Sequence, residues 1–408
     1  MLEFDEAQHR LAHAALAPTH TEIVPLHAAR GRVLAHAVLA TQDLPPADNS
    51  AMDGYALRLA DVQGAQGATR LPVTQTIYAG EPVAPLAPGS AARVFTGSLI
   101  PPGADVVVMQ EQAKHDGDFV ELSGTATDGQ YIRRRASDTQ SGAPVLAAGL
   151  RLHAAHIGML AAQGLAAVTV RPIVRIGILT SGDELIAPGQ SRADHQVYDA
   201  NAPMLAALAD MLGAHVSAVV RVPDDHNALT QAFERLAHAC DLIVSVGGVS
   251  VGDKDLIKPV LHDLGASLDL WRVRMKPGKP VALAHLGDVP VVGLPGNPVS
   301  AFAVFTLLVT PLIRRMQGRG DVFPRRQRMP LRLARVQHDS REEFLRVQVR
   351  PSTHSGLAAA SELVPFDRQD SSIVSSLPWA HGLARIAADT PTHDGDWVDY
   401  YDLAHWLD

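Results

Sequence analysis

The sequence has a single cysteine, Cys240, among 408 residues. One thiol can form neither an intrachain disulfide nor a cysteine-based zinc centre. Cys240 lies in AHACDLIV, where a helix hands over to an apolar strand, and plain burial is expected of it. Charge is sparse, at 19% of residues with a net charge of −8. No broad basic face for nucleic acid is implied, while a local basic pocket for an anion stays compatible with it. There is no GxxxxGK[ST] loop and no G-x-S-x-G turn, so P-loop ATP hydrolysis and a hydrolase nucleophile elbow have no support. The 19 histidines show no H-x-H or HExxH spacing, and His153 and His156, close on one helix, read as boundary residues. The amino-terminal MLEFDEAQHRLAHAAL lacks the basic start and apolar run of a signal peptide. The longest apolar stretch, VSAFAVFTLLVTPLI, contains Ser300 and Pro311, is short for a membrane span, and reads as a buried helix. A cytoplasmic location is expected, with no membrane partner.

Hydrophobic residues make up 47% of the chain, enough for each of several domains to bury a core. Residues 1–42 and 137–170 are alanine-rich and read as an elongated helical linking domain. Between them, at 43–136, Pro45, Pro46 and the Asp53-Gly54 turn break the helix, and short β-branched runs alternate with Gly/Pro turns. This stretch reads as an inserted, mostly β domain. From 171 to 318 strands and helices alternate, which predicts a three-layer α/β domain with a largely parallel sheet. Residues 322–408 alternate with period two and read as a small C-terminal β-barrel.

The chemistry is expected at the strand-to-helix edge of the α/β domain, where ligands of open sheets bind. Two glycine-rich turns stand there, SVGGVSVGDKD (245–255) and GLPGNPVS (293–300), each leading into a helix. Glycines let a backbone approach a ligand, and a helix start offers free N–H groups to phosphate. Lys276 and Lys279 flank the Pro-Gly turn of MKPGKP and can converge on the same anion. Acids recur after successive strands: Asp183 and Glu184, then Asp224 and Asp225, then Asp253 and Asp255. Carboxylates beside a phosphate cradle suit Mg²⁺, although each one alone also fits a helix cap or turn.

Taken together, the motifs identify a resemblance. NSAMDGYAL (49–57), RVFTGSLIPPGADVVVMQE (93–111), YIRRRASD (131–138), ILTSGDEL (178–185), GGVSVGDKD (247–255), MKPGKP (275–280) and GLPGNPVSA (293–301) stand in family order. They resemble the molybdopterin molybdenumtransferases of the MoeA type, which also form the C-terminal part of gephyrin. The resemblance implies insertion of molybdate into adenylated molybdopterin with Mg²⁺, releasing AMP and molybdenum cofactor. It also implies a homodimer whose active site is shared between protomers. Transient contact with the adenylyltransferase and with cofactor-accepting enzymes is expected. In this reading Ser181, Gly247, Gly248, Ser250, Pro295, Gly296, Asn297 and Pro298 hold phosphate and pterin, and Lys276 and Lys279 balance anionic charge. Glu184, Asp225 and Asp255 take Mg²⁺ or position water, and Asp53, Thr96, Arg133 and Asp138 complete the pocket. Ser181 and Lys254 depart from the family's usual threonine and aromatic residue. Ser375 and Ser376 are the C-terminal candidates. The alternatives are the adenylyltransferase that makes the adenylated pterin, and a gephyrin-like scaffold.

Overall fold

The computed structural model describes residues 1–62, 68–122, 125–248, 256–352 and 361–408. The expected helix over residues 1–42 is confined to α1 (Phe4–Ala12), with Asp5 and Glu6 in its first turn. Alanine content favours helix, but Pro18 and Pro25 stop it. Residues Glu22–Pro25 instead form a strand against Ala167–Val170.

Two compact units divide the chain. One comprises residues 37–147 and 155–166, the other 1–36, 148–154 and 167–408. The linking segment expected at 1–42 and 137–170 is therefore divided between the two. In the first unit, β1 (Gly54–Leu57), β2 (Thr69–Ile77), β3 (Ala91–Val94), β4 (Val106–Met109), β5 (Ala113–Asp116) and β6 (Phe119–Leu122) form one sheet. Its order is β4-β1-β3-β2-β6-β5. Alternate residues supply its two faces, with Tyr55, Leu57 and Ala91 in one apolar cluster and Ala56, Ala92 and Val94 in another. Helix α2 (Ala154–Ala162) contributes Gln163 just beyond its end, whose carbonyl groups accept from the backbone and hydroxyl of Thr41.

In the second unit, β7 (Arg175–Ser181), α3 (Asn201–Met211), β8 (His215–Val222), α4 (His226–Ala239), β9 (Leu242–Val246) and α5 (Ile257–Asp263) alternate. β10 (Ser267–Arg272), β11 (Met275–Lys276), β12 (Pro280–Leu286) and β13 (Val289–Leu294) follow. The main sheet runs β8-β7-β9-β13-β12-β10. Strands β7 and β9 are buried almost throughout because both faces are covered, as a parallel sheet requires. The sheet is mixed, however: β8, β7, β9 and β13 are parallel, whereas β12 and β10 are antiparallel to their neighbours. The reason is the two-residue link Gly287–Asp288, since Leu286 pairs directly with Val289. A parallel crossover needs about a dozen residues, so this link can only form a hairpin.

The apolar stretch is helix α6 (Pro298–Met316), with a π-helical turn at Phe305–Val309 and 89% of its most apolar window buried. It is a core helix, packed in the cluster that also holds Phe4, Ala7 and Leu11 of α1. Pro311 has no N–H to give the Leu307 carbonyl one turn back. Gln8 of α1 supplies the missing donor, its Nε2 lying 2.7 Å from that oxygen.

The C-terminal strands are β14 (Gln327–Pro330), β15 (Glu342–Pro351), β16 (Ser361–Pro365), β17 (Gly382–Ile386) and β18 (Trp397–Asp402). They run β11-β15-β17-β18-β14, with β16 on the far half of β15 and a bridge between Leu331 and Leu363 joining β16 back toward β14. Because β11 pairs with β15, the lysine turn of the α/β sheet is stitched directly to this sheet.

Candidate functional site

The carboxyl ends of the four parallel strands are level. Ser181 of β7 pairs with Val222 of β8, Thr180 with Val246 of β9, and Val246 with Leu294 of β13. From β7 the chain leaves toward β8, and from β9 it leaves toward the other side of the sheet. The crevice of an open α/β sheet lies where these departures diverge, here between Ser181 and Gly247.

Tight packing at that crevice requires glycine. Gly247 has φ +93° and Gly248 φ +60°. A Cβ on Gly247 would stand 2.6 Å from the Ser181 carbonyl oxygen, and one on Gly248 2.9 Å from Ile257. Both positions exclude other residues, for conformation and for space. The second glycine turn meets the first: a Cβ on Gly296 would lie 4.0 Å from the Gly247 Cα, and the Gly247 N–H donates to the Leu294 carbonyl at 3.3 Å. Pro295 is buried, Gly296 and Asn297 are exposed, and Pro298 occupies the first turn of α6, where its lacking N–H costs nothing. Ser181, Gly247, Gly248 and 295–298 are thus brought together. Ser250, Asp253 and Asp255 lie outside the described residues.

The acids are placed less uniformly. Glu184 is exposed, two residues beyond Gly182 at the end of β7. Asp225 caps α4, with Oδ1 accepting from the Ala228 N–H at 2.8 Å. Asp183 accepts from the Asp224 N–H at 3.1 Å, joining the ends of β7 and β8. Among the described residues no three His, Cys, Asp or Glu side chains gather as a metal centre. Glu184 and Asp225 therefore do not make a metal centre by themselves.

The lysines reach this edge for a reason that the sequence reading did not contain. Because β12 runs antiparallel, its start rather than its end lies level with the ends of β9 and β13, and Ala282 pairs with Gly293. Lys279, immediately before β12, is exposed and has no side-chain partner among the described residues. Lys276 differs from the expectation of a cation free for ligand. Its Nζ lies 3.1 Å from Glu343 Oε1 and 3.2 Å from Asp339 Oδ2, both on the C-terminal segment. Partial burial acts to lower its pKa, but these carboxylates outweigh burial and hold it above the usual lysine range. Its charge is already balanced, so its present work is to fasten the turn.

In the inserted unit, Asp53 and Thr96 form one constellation. Asp53 Oδ1 accepts from the Thr96 N–H at 2.7 Å and from its hydroxyl at 2.8 Å. The backbone bond and then the hydroxyl hold the carboxylate below the ordinary aspartate range. Arg133 pairs with Asn49, and Ser50 exchanges backbone bonds with Gly97 and Ser98, so three sequence-distant motifs are knitted together. Arg133 and Asp138 are exposed, and the Asp138 N–H is tied to the Leu44 carbonyl.

Several contributors were not foreseen. Asn201, at the start of α3, donates to the Gly296 carbonyl at 2.7 Å. Asn297 donates to Ser371 Oγ at 3.0 Å, so the C-terminal segment touches the second glycine turn. Its loop is wrapped around buried Arg346. The Arg346 Nε donates to Ser376 Oγ, and Nη2 donates to the carbonyls of Arg368 and Asp370. Burial lowers the pKa of Arg346 to about 10, which still leaves it charged at neutral pH. Ser376 is thus a buried partner of Arg346, and Ser375 stands at the start of the short helix Ser376–Trp379. Local sequence carries no signal for Ser371, which is 74 residues from its partner. A cavity of about 800 Å³ lies at the opposite edge of the sheet, beside Arg175, Asp241 and Pro290. Volume alone therefore does not mark the glycine crevice.

Comparison with known proteins fits this architecture. Family profiles match in three consecutive blocks: "MoeA N-terminal region (domain I and II)" over residues 2–164, "Probable molybdopterin binding domain" over 177–315 and "MoeA C-terminal region (domain IV)" over 328–403. A molybdopterin molybdenumtransferase of Nostoc sp. is 40% identical over 304 residues, spanning 73% of this chain and 70% of that protein. One from Haemophilus influenzae is 38% identical over 320 residues, 78% of each. The molybdopterin biosynthesis MoeA protein of Pyrococcus horikoshii OT3 superposes with a TM-score of 0.82 at 27% identity, covering 98% of this chain and 100% of that one. On the level strand ends, the paired glycine turns and these matches, the chain belongs to the molybdopterin molybdenumtransferase (MoeA) family.

Proposed function

We propose that the chain inserts molybdenum from molybdate into adenylated molybdopterin, with release of AMP and molybdenum cofactor. The observation that carries this reading is the meeting of the Gly247 and Gly296 turns at the divergence of β7 and β9, the place where open α/β sheets bind ligands. Gly247, Gly248 and the 295–298 turn hold phosphate and pterin there, and Lys279 supplies the free positive charge. Catalysis on an activated phosphate asks chiefly for positioning and charge neutralisation, which backbone N–H groups and one ammonium provide.

The reading includes Mg²⁺. Glu184 and Asp225, from the ends of adjacent strands, are the described carboxylates that would offer it oxygens. Magnesium would neutralise phosphate charge. Asp53, Thr96, Arg133 and Asp138 belong to the inserted unit and act on the same substrate in a homodimer with a shared site. The protein works in the cytoplasm, receiving substrate from the adenylyltransferase and passing product to cofactor-accepting enzymes.

The test is AMP release by the purified protein from adenylated molybdopterin. Release should require molybdate and fall when EDTA removes divalent ions. Folded protein that releases no AMP with molybdate and Mg²⁺ present would refute the reading.

A further inference from the structure

Asp199 and Asn201 lie where the chain that left β7 enters α3, and the reading above gives neither a role. They are nearly out of solvent, at 4% and 6% exposure. Asp199 joins strand to helix. Its Oδ2 accepts from the hydroxyl of Thr180 in β7 at 2.8 Å, and its Oδ1 from the Ala202 N–H in the first turn of α3 at 3.0 Å. The positive end of α3 stabilises that carboxylate. Thr180 stands one residue before Ser181, so the start of α3 is tied to one wall of the glycine crevice.

Asn201 carries the tie to the other wall. Its Nδ2 donates to the Gly296 carbonyl at 2.7 Å. The Gly247 turn touches both walls: a Cβ on Gly247 would meet the Ser181 carbonyl at 2.6 Å, and one on Gly296 would reach the Gly247 Cα at 4.0 Å. Thr180, Asp199, Asn201 and Gly296 thus bridge the two walls behind that turn. Stability does not account for Asn201. Its Oδ1 is buried and has no hydrogen-bond partner among the described residues, which is a cost to folding. Gly296 is exposed, so its carbonyl can take water in place of the amide. An amide that folding does not need has its role in what its donor holds.

We propose that Asn201 is a positioning residue for the glycine crevice, setting the distance between the Gly296 turn and the Gly247 turn. The inference rests on the reading of that crevice as the anion site. Pro295 and Pro298 restrict the turn's own backbone, so it shifts as a body when a fastening is lost. Without Asn201, the side-chain tie that is left runs from Asn297 to Ser371, in the C-terminal segment rather than the sheet. The two turns would then meet a phosphate from mismatched positions. Substrate and transition state would be held more weakly by the same amount, which raises KM and leaves kcat alone.

Gly296–Asn297 is the single Gly-Asn step in the sequence. Protein labelled with carbonyl-¹³C glycine and ¹⁵N asparagine therefore gives one carbonyl–amide NMR cross-peak, which reports the Gly296 carbonyl with no ligand present. Asn201→Leu, which keeps the shape of the side chain and removes the donor, should move that carbonyl carbon upfield, the direction of a lost hydrogen bond. Its urea midpoint should hold or rise, because the unpaired Oδ1 goes with the amide. KM for adenylated molybdopterin should rise about tenfold, the order expected for one hydrogen bond to a charged group, with kcat held. Asn201→Ala serves for the same readouts if the Leu variant does not fold. An unmoved cross-peak in the folded variant overturns the proposal, as does an unchanged KM or a loss confined to kcat. Wild-type protein that releases no AMP refutes the reading of the crevice instead, and the cross-peak still decides whether Asn201 holds the turn.

Discussion

Single residues decide whether the glycine crevice exists. Gly247→Ala puts a methyl 2.6 Å from the Ser181 carbonyl and forces an L-residue to φ +93°. The cost should be about 1–3 kcal/mol of stability, with loss of ligand binding, read from urea midpoints and AMP release. A variant with wild-type midpoint and turnover would show that β7 and β9 can part freely. Asp53 offers a test of its hydrogen bonds. Its folded pKa is depressed, so the stabilisation is present above the unfolded value of about 3.9 and disappears as pH falls through the folded value. Thr96→Val removes the hydroxyl donor but leaves the backbone one. A carboxyl NMR titration should then show the Asp53 pKa moved part-way up, and an unmoved value would count against the hydroxyl bond. The lysines separate as well. Lys279→Ala should weaken binding of anionic substrate with little effect on melting, whereas Lys276→Ala should loosen the C-terminal attachment by leaving Asp339 and Glu343 without their shared cation. Equal effects of the two changes on both readouts would contradict that division.

Elements show which signals were local. The glycine turns were legible because backbone conformation and close approach restrict the residue at the turn itself. The buried character of α6 was legible from its apolar run, but the identity of its partner was not. Gln8 and Leu307 are 299 positions apart, and only the fold pairs them. A buried carbonyl without a donor costs about 1–3 kcal/mol, so Gln8→Leu should destabilise by that order. Pro311→Ala restores a backbone N–H, so the same Gln8 change should cost less in that background. A double-mutant cycle in denaturant measures the coupling, and strict additivity would disprove it. The helical reading of residues 1–42 failed because alanine propensity is weak beside two prolines and a strand partner at 167–170. The expectation of a largely parallel sheet did not address β12, whose direction follows from the shortness of the Gly287–Asp288 link.

At the scale of the whole molecule, the groups proposed for the site fall in two units: Asp53 and Thr96 in one, Glu184 and Lys279 in the other. The proposed homodimer with a shared site makes a quantitative demand on mixed dimers of Asp53→Ala and Glu184→Ala. Random pairing yields about half mixed dimers, and in each of these one site would lose both groups while the other keeps both, so about a quarter of all sites should recover. Recovery near that fraction in coexpressed protein is the expected result. Absence of recovery with mixed dimers demonstrated by mass would mean that each site is built within one chain. The C-terminal contribution, Ser371 on Asn297, was invisible in sequence because a single serine in a polar loop has no distinguishing pattern.

The hairpin at Gly287–Asp288 governs chemistry from the far side of the sheet. Loops that precede a parallel strand open onto the wrong edge, yet the lysine loop precedes β12 and still faces the crevice, because that strand is reversed. An added residue in the two-residue link would slip β12 by one position against β13. Every β12 side chain would then exchange faces, and Lys279 would shift along the sheet relative to the glycine turns. The link thus acts as a gauge block for the distance between the cation and the cradle, although none of its atoms lies near either.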